Sequence, residues 1–325
     1  MWDRAARSRS GLHPALKPGA EDARLRVSLS SLLALEPHAR RLSFTSRQHA
    51  KSALNGRHRS RIRGRGLDFE ELRDYLPSDD VRSIDWKVTA RTGTPYVRVF
   101  TEERDRPTLI VVDQRMSMFY GSVLNMKSVT AAEAAAIAAF RVLEQGDRVG
   151  GLVVGDQHVA EFRPKRARSV LNQFLTALVH AGDMLAADAP SVVPVAFNAI
   201  LKSVARIAPR NHLILLISDF DEVDARSKTL LSGLCRHNDV VMVMVTDPTS
   251  QALPQGSRII ASDGTLQAEL NLGDEQVRRD LLDFSQGRLE EVLQWQNEMR
   301  LSVLPLTTAE PTLEQIATLL GRRGR

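Results

Sequence analysis

The chain has 325 residues, 43% hydrophobic and 26% charged, with a formal charge of +5 and one cysteine. That apolar content suffices for one large core or about two domains, and it excludes a fibrous protein. A lone cysteine, Cys235, excludes an internal disulfide and suits a reducing cytoplasm, and no apolar run approaches the roughly 18 residues of a bilayer-crossing helix.

Residues 1–55 read as an arm. The first 25 or so are polar, lack an apolar stretch of the secretory kind, and predict disorder. Val27 to Leu35 shows helical spacing, and a basic helix is expected from Pro37 to Leu54, ending near Asn55-Gly56. Between Pro37 and Leu67 there is no acidic residue, while Arg40, Arg41, Arg47, Lys51, Arg57, Arg59, Arg61, Arg63 and Arg65 all fall there. Such a run can meet phosphate backbones or an acidic protein surface, or form a solvated helix face.

Residues 56–107 hold the densest pattern. Ile84 to Thr89 and Tyr96 to Thr101 read as two strands joined by a turn containing Gly93, with Tyr75 and Trp86 expected as core anchors. Charges of both signs interleave at Arg73, Asp79, Asp80, Arg82, Asp85, Arg91 and Arg104. They predict either an ion-pair network fastening the hairpin to the main sheet or a partner-binding surface.

Residues 108–325 alternate strands with helices, which predicts an α/β sheet with right-handed crossovers. Thr108 to Asp113 is a β-branched apolar run ending in a carboxylate, the signature of a central parallel strand opening into a site. A helix is expected from Ser128 to Gln145 with a capping box of Thr130 and Glu133. His212 to Ser218, followed by Asp219 and Asp221, repeats the strand pattern. If the two strands are neighbours, Asp113, Ser117, Asp219 and Asp221 come within reach of one cation or one partner group. Val240 to Thr246 is a further buried strand, 249–301 an excursion of weak pattern, and Ser302 to Leu306 and Thr312 to Leu320 a closing strand and helix.

Three strings carry a resemblance: Gly64-x-Gly66-x-x-Phe69; Leu72-Arg73-x-Tyr75-x-Pro77-x-Asp79-Asp80-x-Arg82-x-Ile84-Asp85-Trp86; and Ala90-Arg91-Thr92 with Glu102-Glu103-Arg104 before an aspartate-terminated strand. Together they resemble the domain-of-unknown-function family numbered fifty-eight, over about Gly56 to Asp221, with Ser78 where that family usually has glycine. Members of the family resemble von Willebrand factor A domains. The resemblance implies a Rossmann-like, mostly parallel sheet flanked by helices, with a partner at the strand ends. It further implies an adaptor or co-chaperone role beside an AAA+ ATPase of the MoxR class.

Von Willebrand A domains carry a metal-ion-dependent adhesion site, and Asp113, Ser117 and Asp219 match its pattern, so Mg is the ion to consider. Arg115 replaces the first serine, and Val192 to Phe197 offers no hydroxyl where a threonine should fall. Arg115 is therefore expected to replace the ion with a bidentate pair to Asp113 or Asp219. The leading expectation is a cytoplasmic, non-enzymatic interaction module without cofactor. The alternatives are a metal-dependent hydrolase at Asp113 and Asp219, or nucleic-acid binding through the basic arm.

Overall fold

The computed structural model describes residues 23–42, 67–77, 79–102, 106–186, 192–250, 258–262, 267–271, 287, 290–299 and 301–320. The predicted disorder of the first residues, the helix between 43 and 54, and Arg104 lie outside them.

At the centre is a six-stranded sheet built on β3 (Thr108–Asp113), whose six residues are all buried. On one side β3 pairs in parallel with β4 (Val149–Val154), which pairs antiparallel with the edge strand β5 (Val159–Lys165). On the other side follow β6 (Leu213–Ser218), β7 (Asp239–Thr246) and β10 (Ser302–Thr307), all parallel. The order β10-β7-β6-β3-β4-β5 makes the two aspartate-terminated strands neighbours, with Thr108 opposite Leu213.

Because strand side chains alternate, both faces of β3, β6 and β7 are apolar and both are covered. Ile110, Val112, Leu215, Ile217 and Val243 face α4 (Lys127–Glu144), α5 (Arg168–Asp183) and α8 (Thr312–Leu319). Leu109, Val111, Leu216 and Met242 face α6 (Phe197–Ile207), α7 (Ala225–Cys235) and a helical segment at 290–298 that buries Trp295. Two short helices, α1 (Leu29–Ala34) and α2 (Glu36–Arg40), lie on the α4 side, with Leu32 and Ala39 in that core. A forked pair between Arg168 and Glu36, at 2.5 and 2.6 Å, ties α2 to α5. The excursion contributes an antiparallel pair, β8 (Arg258–Ser262) with β9 (Gln267–Asn271).

The segment before the main sheet departs from expectation. Tyr96–Glu102 (β2) is a strand, but its antiparallel partner is β1 (Leu67–Asp74). The stretch expected as the other strand is instead α3 (Trp86–Thr92). Its caps explain this: the Asp85 carboxylate accepts from the Lys87 and Val88 N–H groups at 3.0 and 3.3 Å, and Gly93 closes the helix in the left-handed region at φ 77°. Trp86 is no core anchor, since it is 64% exposed. Nor does the expected capping box of α4 form. The Thr130 hydroxyl is buried without a partner among the described residues, and Glu133 accepts instead from Thr312 at 2.6 Å.

Close backbone approach fixes Gly150 in β4, where a Cβ would lie 2.4 Å from the Phe162 carbonyl oxygen and 2.6 Å from the Pro164 nitrogen. Gly150→Ala is expected to destabilise by at least about 2 kcal/mol in urea unfolding, because backbone cannot step aside. Gly233→Ala in α7, where a Cβ meets nothing within 4 Å, is expected to stabilise by about 0.5–1 kcal/mol.

Candidate functional site

All four inner parallel strands run into an aspartate at their carboxyl ends: Asp113, Asp156, Asp219 and Asp247. Three make the same local turn, the carboxylate accepting from the N–H two residues on. The pairs are Asp113 with Arg115 at 3.1 Å, Asp219 with Asp221 at 3.1 Å and Asp247 with Thr249 at 3.0 Å. Asp156 instead accepts from the Met116 N–H, at 3.0 and 3.2 Å to its two oxygens.

Arg115 and Asp113 form the central contact. Nε donates to Oδ1 and Nη2 to Oδ2, both at 3.0 Å, with each side chain only 3% exposed. Ser218 adds a hydroxyl to Asp113 Oδ2 at 2.7 Å. With the Arg115 N–H, that fills about all four acceptor positions of one carboxylate. The remaining nitrogen, Nη1, donates to the Val195 carbonyl at 3.0 Å and to Glu222 Oε2 at 2.9 Å. Burial works against the charged guanidinium, but Asp113, with Asp219 and Glu222 beyond it, outweighs burial and raises the Arg115 pKa.

Asp219 has a different cation. Lys127, at the start of α4, donates to its Oδ2 at 2.5 Å. Burial favours the neutral acid there, yet Lys127 and the Asp221 N–H prevail and hold the carboxyl below its usual range. Following Asp219, Phe220 and Glu222 both adopt positive φ, 56° and 64°, a conformation that strains any residue with a Cβ. That turn buries the Phe220 ring edge-on against Phe197 and leaves the Glu222 side chain 49% exposed above Arg115.

Of the residues expected at one site, Asp113 and Asp219 thus stand at adjacent strand ends but are engaged separately. Arg115 takes Asp113 rather than Asp219. The Ser117 hydroxyl, buried in a single 3-10 turn (Met116–Met118), has no partner among the described residues. A magnesium ion needs carboxylate oxygens with free lone pairs and tolerates no cation in their midst. Asp113 is saturated and in contact with a guanidinium, and Asp219 holds an ammonium, so the residues present do not fit a divalent ion.

Of the signature residues, Arg73 forks onto Asp79 at 2.6 and 2.7 Å, Asp80 caps the Val81–Ser83 turn through the Arg82 N–H, and Asp85 caps α3. Tyr75 is half-buried, while Trp86 and Arg91 are exposed. Among the described residues the Arg73–Asp79 pair stays within the hairpin's own loop.

Sequence reading missed Lys127, Asp156, Ser218, Glu222 and the clasp around Asp247. There the carboxylate collects hydroxyls from Ser122 and Thr249 at 2.6 Å and from Thr308 at 2.5 Å, tying the β3–α4 loop to the ends of β7 and β10. The recurrence of aspartate after each strand was the available signal.

Removing Arg115 strands a buried charge, so Arg115→Ala is expected to cost about 3–5 kcal/mol in chemical unfolding, with Asp113→Asn in the same chain recovering much of it. The pH dependence follows from Asp219 and Asp247, both held below the ordinary 3.8; hydroxyl bonds to Asp247 outweigh its burial. As pH falls below about 4, the unfolded chain takes up protons before these groups do, so stability drops toward their folded values. Lys127→Met should flatten the part of that acid slope belonging to Asp219, as read from thermal midpoints across pH.

The described fold, a mostly parallel sheet with helices on both faces, has low-identity likenesses among solved structures. One is the conserved hypothetical protein BatB from Bacteroides thetaiotaomicron, at 11% identity and TM-score 0.39, covering 66% of this chain and 95% of that one. Another is the SpRpn10 VWA domain, at 10% identity and TM-score 0.35, covering 66% and 94%. In sequence the chain is 30% identical over 224 residues to the uncharacterized protein Rv1480 of Mycobacterium tuberculosis (strain ATCC 25618 / H37Rv), 69% of each chain. The uncharacterized protein Mb1516 of Mycobacterium bovis matches with the same figures. The family described as "Protein of unknown function DUF58" matches residues 71–288, starting later and running further than the signature strings. The chain belongs to that family.

Proposed function

We propose that the chain is a cytoplasmic, non-enzymatic interaction module, an adaptor or co-chaperone of a MoxR-type AAA+ ATPase. It binds through the loops at the carboxyl ends of β3, β6 and β7. The observation that carries this reading is the saturation of Asp113 by Arg115 and Ser218, which leaves that carboxylate without an open position for an ion or an activated water. Around this filled centre apolar side chains are exposed: Val193, at 89%, in the loop before α6, and Tyr120 and Val123 on the β3–α4 loop. Such residues suit protein contact better than turnover. The class of partner comes from the family resemblance.

The test is affinity purification of the tagged full chain from its native host, with Val123→Asp/Val193→Asp as the rim variant. Both side chains are exposed and neither takes part in the Arg115 contacts, so the fold should survive. The wild-type chain is expected to retain an AAA+ ATPase and the variant to lose it; equal recovery from both would overturn the proposal. Calorimetric titration with magnesium is expected to show no heat of binding, whereas tight binding abolished by Asp113→Ala would favour a metal-dependent site.

A further inference from the structure

Three carboxylates of the signature loop hold its own backbone in turns and caps. Asp79 holds the Arg73 fork and accepts from the Leu76 N–H at 2.9 Å. Asp80 caps the Val81–Ser83 turn and Asp85 caps α3, while the Asp85 N–H donates to the Tyr96 carbonyl at 2.8 Å. The loop is thereby held in one shape, and what it turns outward is unusual for a solvent surface. Leu72, Leu76, Val81 and Trp86 are all exposed large apolar side chains. Arg82, Lys87 and Arg91 are exposed beside them in sequence, and none is in an ion pair among the described residues.

We propose that this face is a second docking surface, separate from the strand-end rim, for a folded protein that offers Trp86 an apolar recess edged by carboxylates. An exposed tryptophan on a capped helix, with Arg82 four residues before it and Arg91 five after, has the composition of interface anchors, and a capped backbone lowers the ordering cost of association. These three exposed cations, unpaired among the described residues, select acidic partners. Anionic bilayers and phosphate backbones offer negative charge too, but uniformly, and Asp74 and Asp80 are exposed on the same stretch and would oppose both. A protein surface of mixed charge accommodates them. The inference does not rest on the rim reading.

The experiment places a photo-crosslinking amino acid at Leu76 of the full chain in its native host, then titrates the purified crosslinked protein against the unlabelled chain. One protein other than this chain is expected, crosslinked through a segment that contains Asp or Glu. Trp86→Ala, and Lys87→Glu with Arg91→Glu, should each weaken binding at least about tenfold, with Trp86→Phe retaining most of it. Val123→Asp/Val193→Asp should leave this affinity unchanged, which separates the surface from the rim. Crosslinks to lipid, nucleic acid or a second copy of the chain, no crosslink at all, or undiminished binding by Trp86→Ala would overturn the proposal.

Discussion

A guanidinium buried at the carboxyl end of the central strand organises the site. Arg115 contacts Asp113 on β3, the Val195 carbonyl in the loop before α6, and Glu222 in the turn after β6, while Ser218 joins the same carboxylate from β6. A buried ion pair offsets its desolvation only when its remaining hydrogen-bonding positions are filled. Here the filling groups come from the loop before α6, from the end of β6 and from the turn after it, so the pair forms only when β3 and β6 lie side by side and their loops close over them. Its contribution is positional: it sets where the rim loops sit relative to one another.

Around that pair the rim satisfies itself by a repeated device. An aspartate at a strand end accepts the N–H two residues on, which turns the chain sharply and leaves the second carboxylate oxygen for a neighbour. Asp219 offers it to Lys127, and Asp247 to Ser122 and Thr308. The β3–α4 loop is consequently held at two points, by Arg115 near its start and by the Asp247 clasp in its middle. A surface made this way is held in shape by its own hydrogen bonds.

The two outward-facing regions of the molecule divide their charges in opposite ways. At the rim the cations Arg115 and Lys127 are turned inward, and Glu222 and Asp224 are left toward solvent. In the signature hairpin Asp79 and Asp85 are used internally, and Arg82, Lys87 and Arg91 face outward. Neither distribution follows from composition, since acids and bases interleave along both stretches. It arises because short aspartates reach nearby N–H groups in turns and caps, whereas long basic side chains either span to a carboxylate or extend into water.

The sheet was legible in the residues themselves. Runs such as Leu109 to Val112 and Leu213 to Ile217 are apolar at every position, which only a strand covered on both faces tolerates, and their terminal aspartates mark the end where loops gather. Arg115 at a position where the resemblance requires a ligand also announced an internal cation. What sequence could not decide were contacts set by distance across the fold. Which carboxylate Arg115 takes depends on loop closure, and Lys127 reaches Asp219 because β6 lies beside β3. The helix at Trp86–Thr92 was misread because seven residues carry too little periodicity to outweigh their caps. Local patterning determined which segments are strands and which end each strand presents; only the packed order of those strands decided which charges meet, because an ion pair is fixed by separation in space and not by separation along the chain.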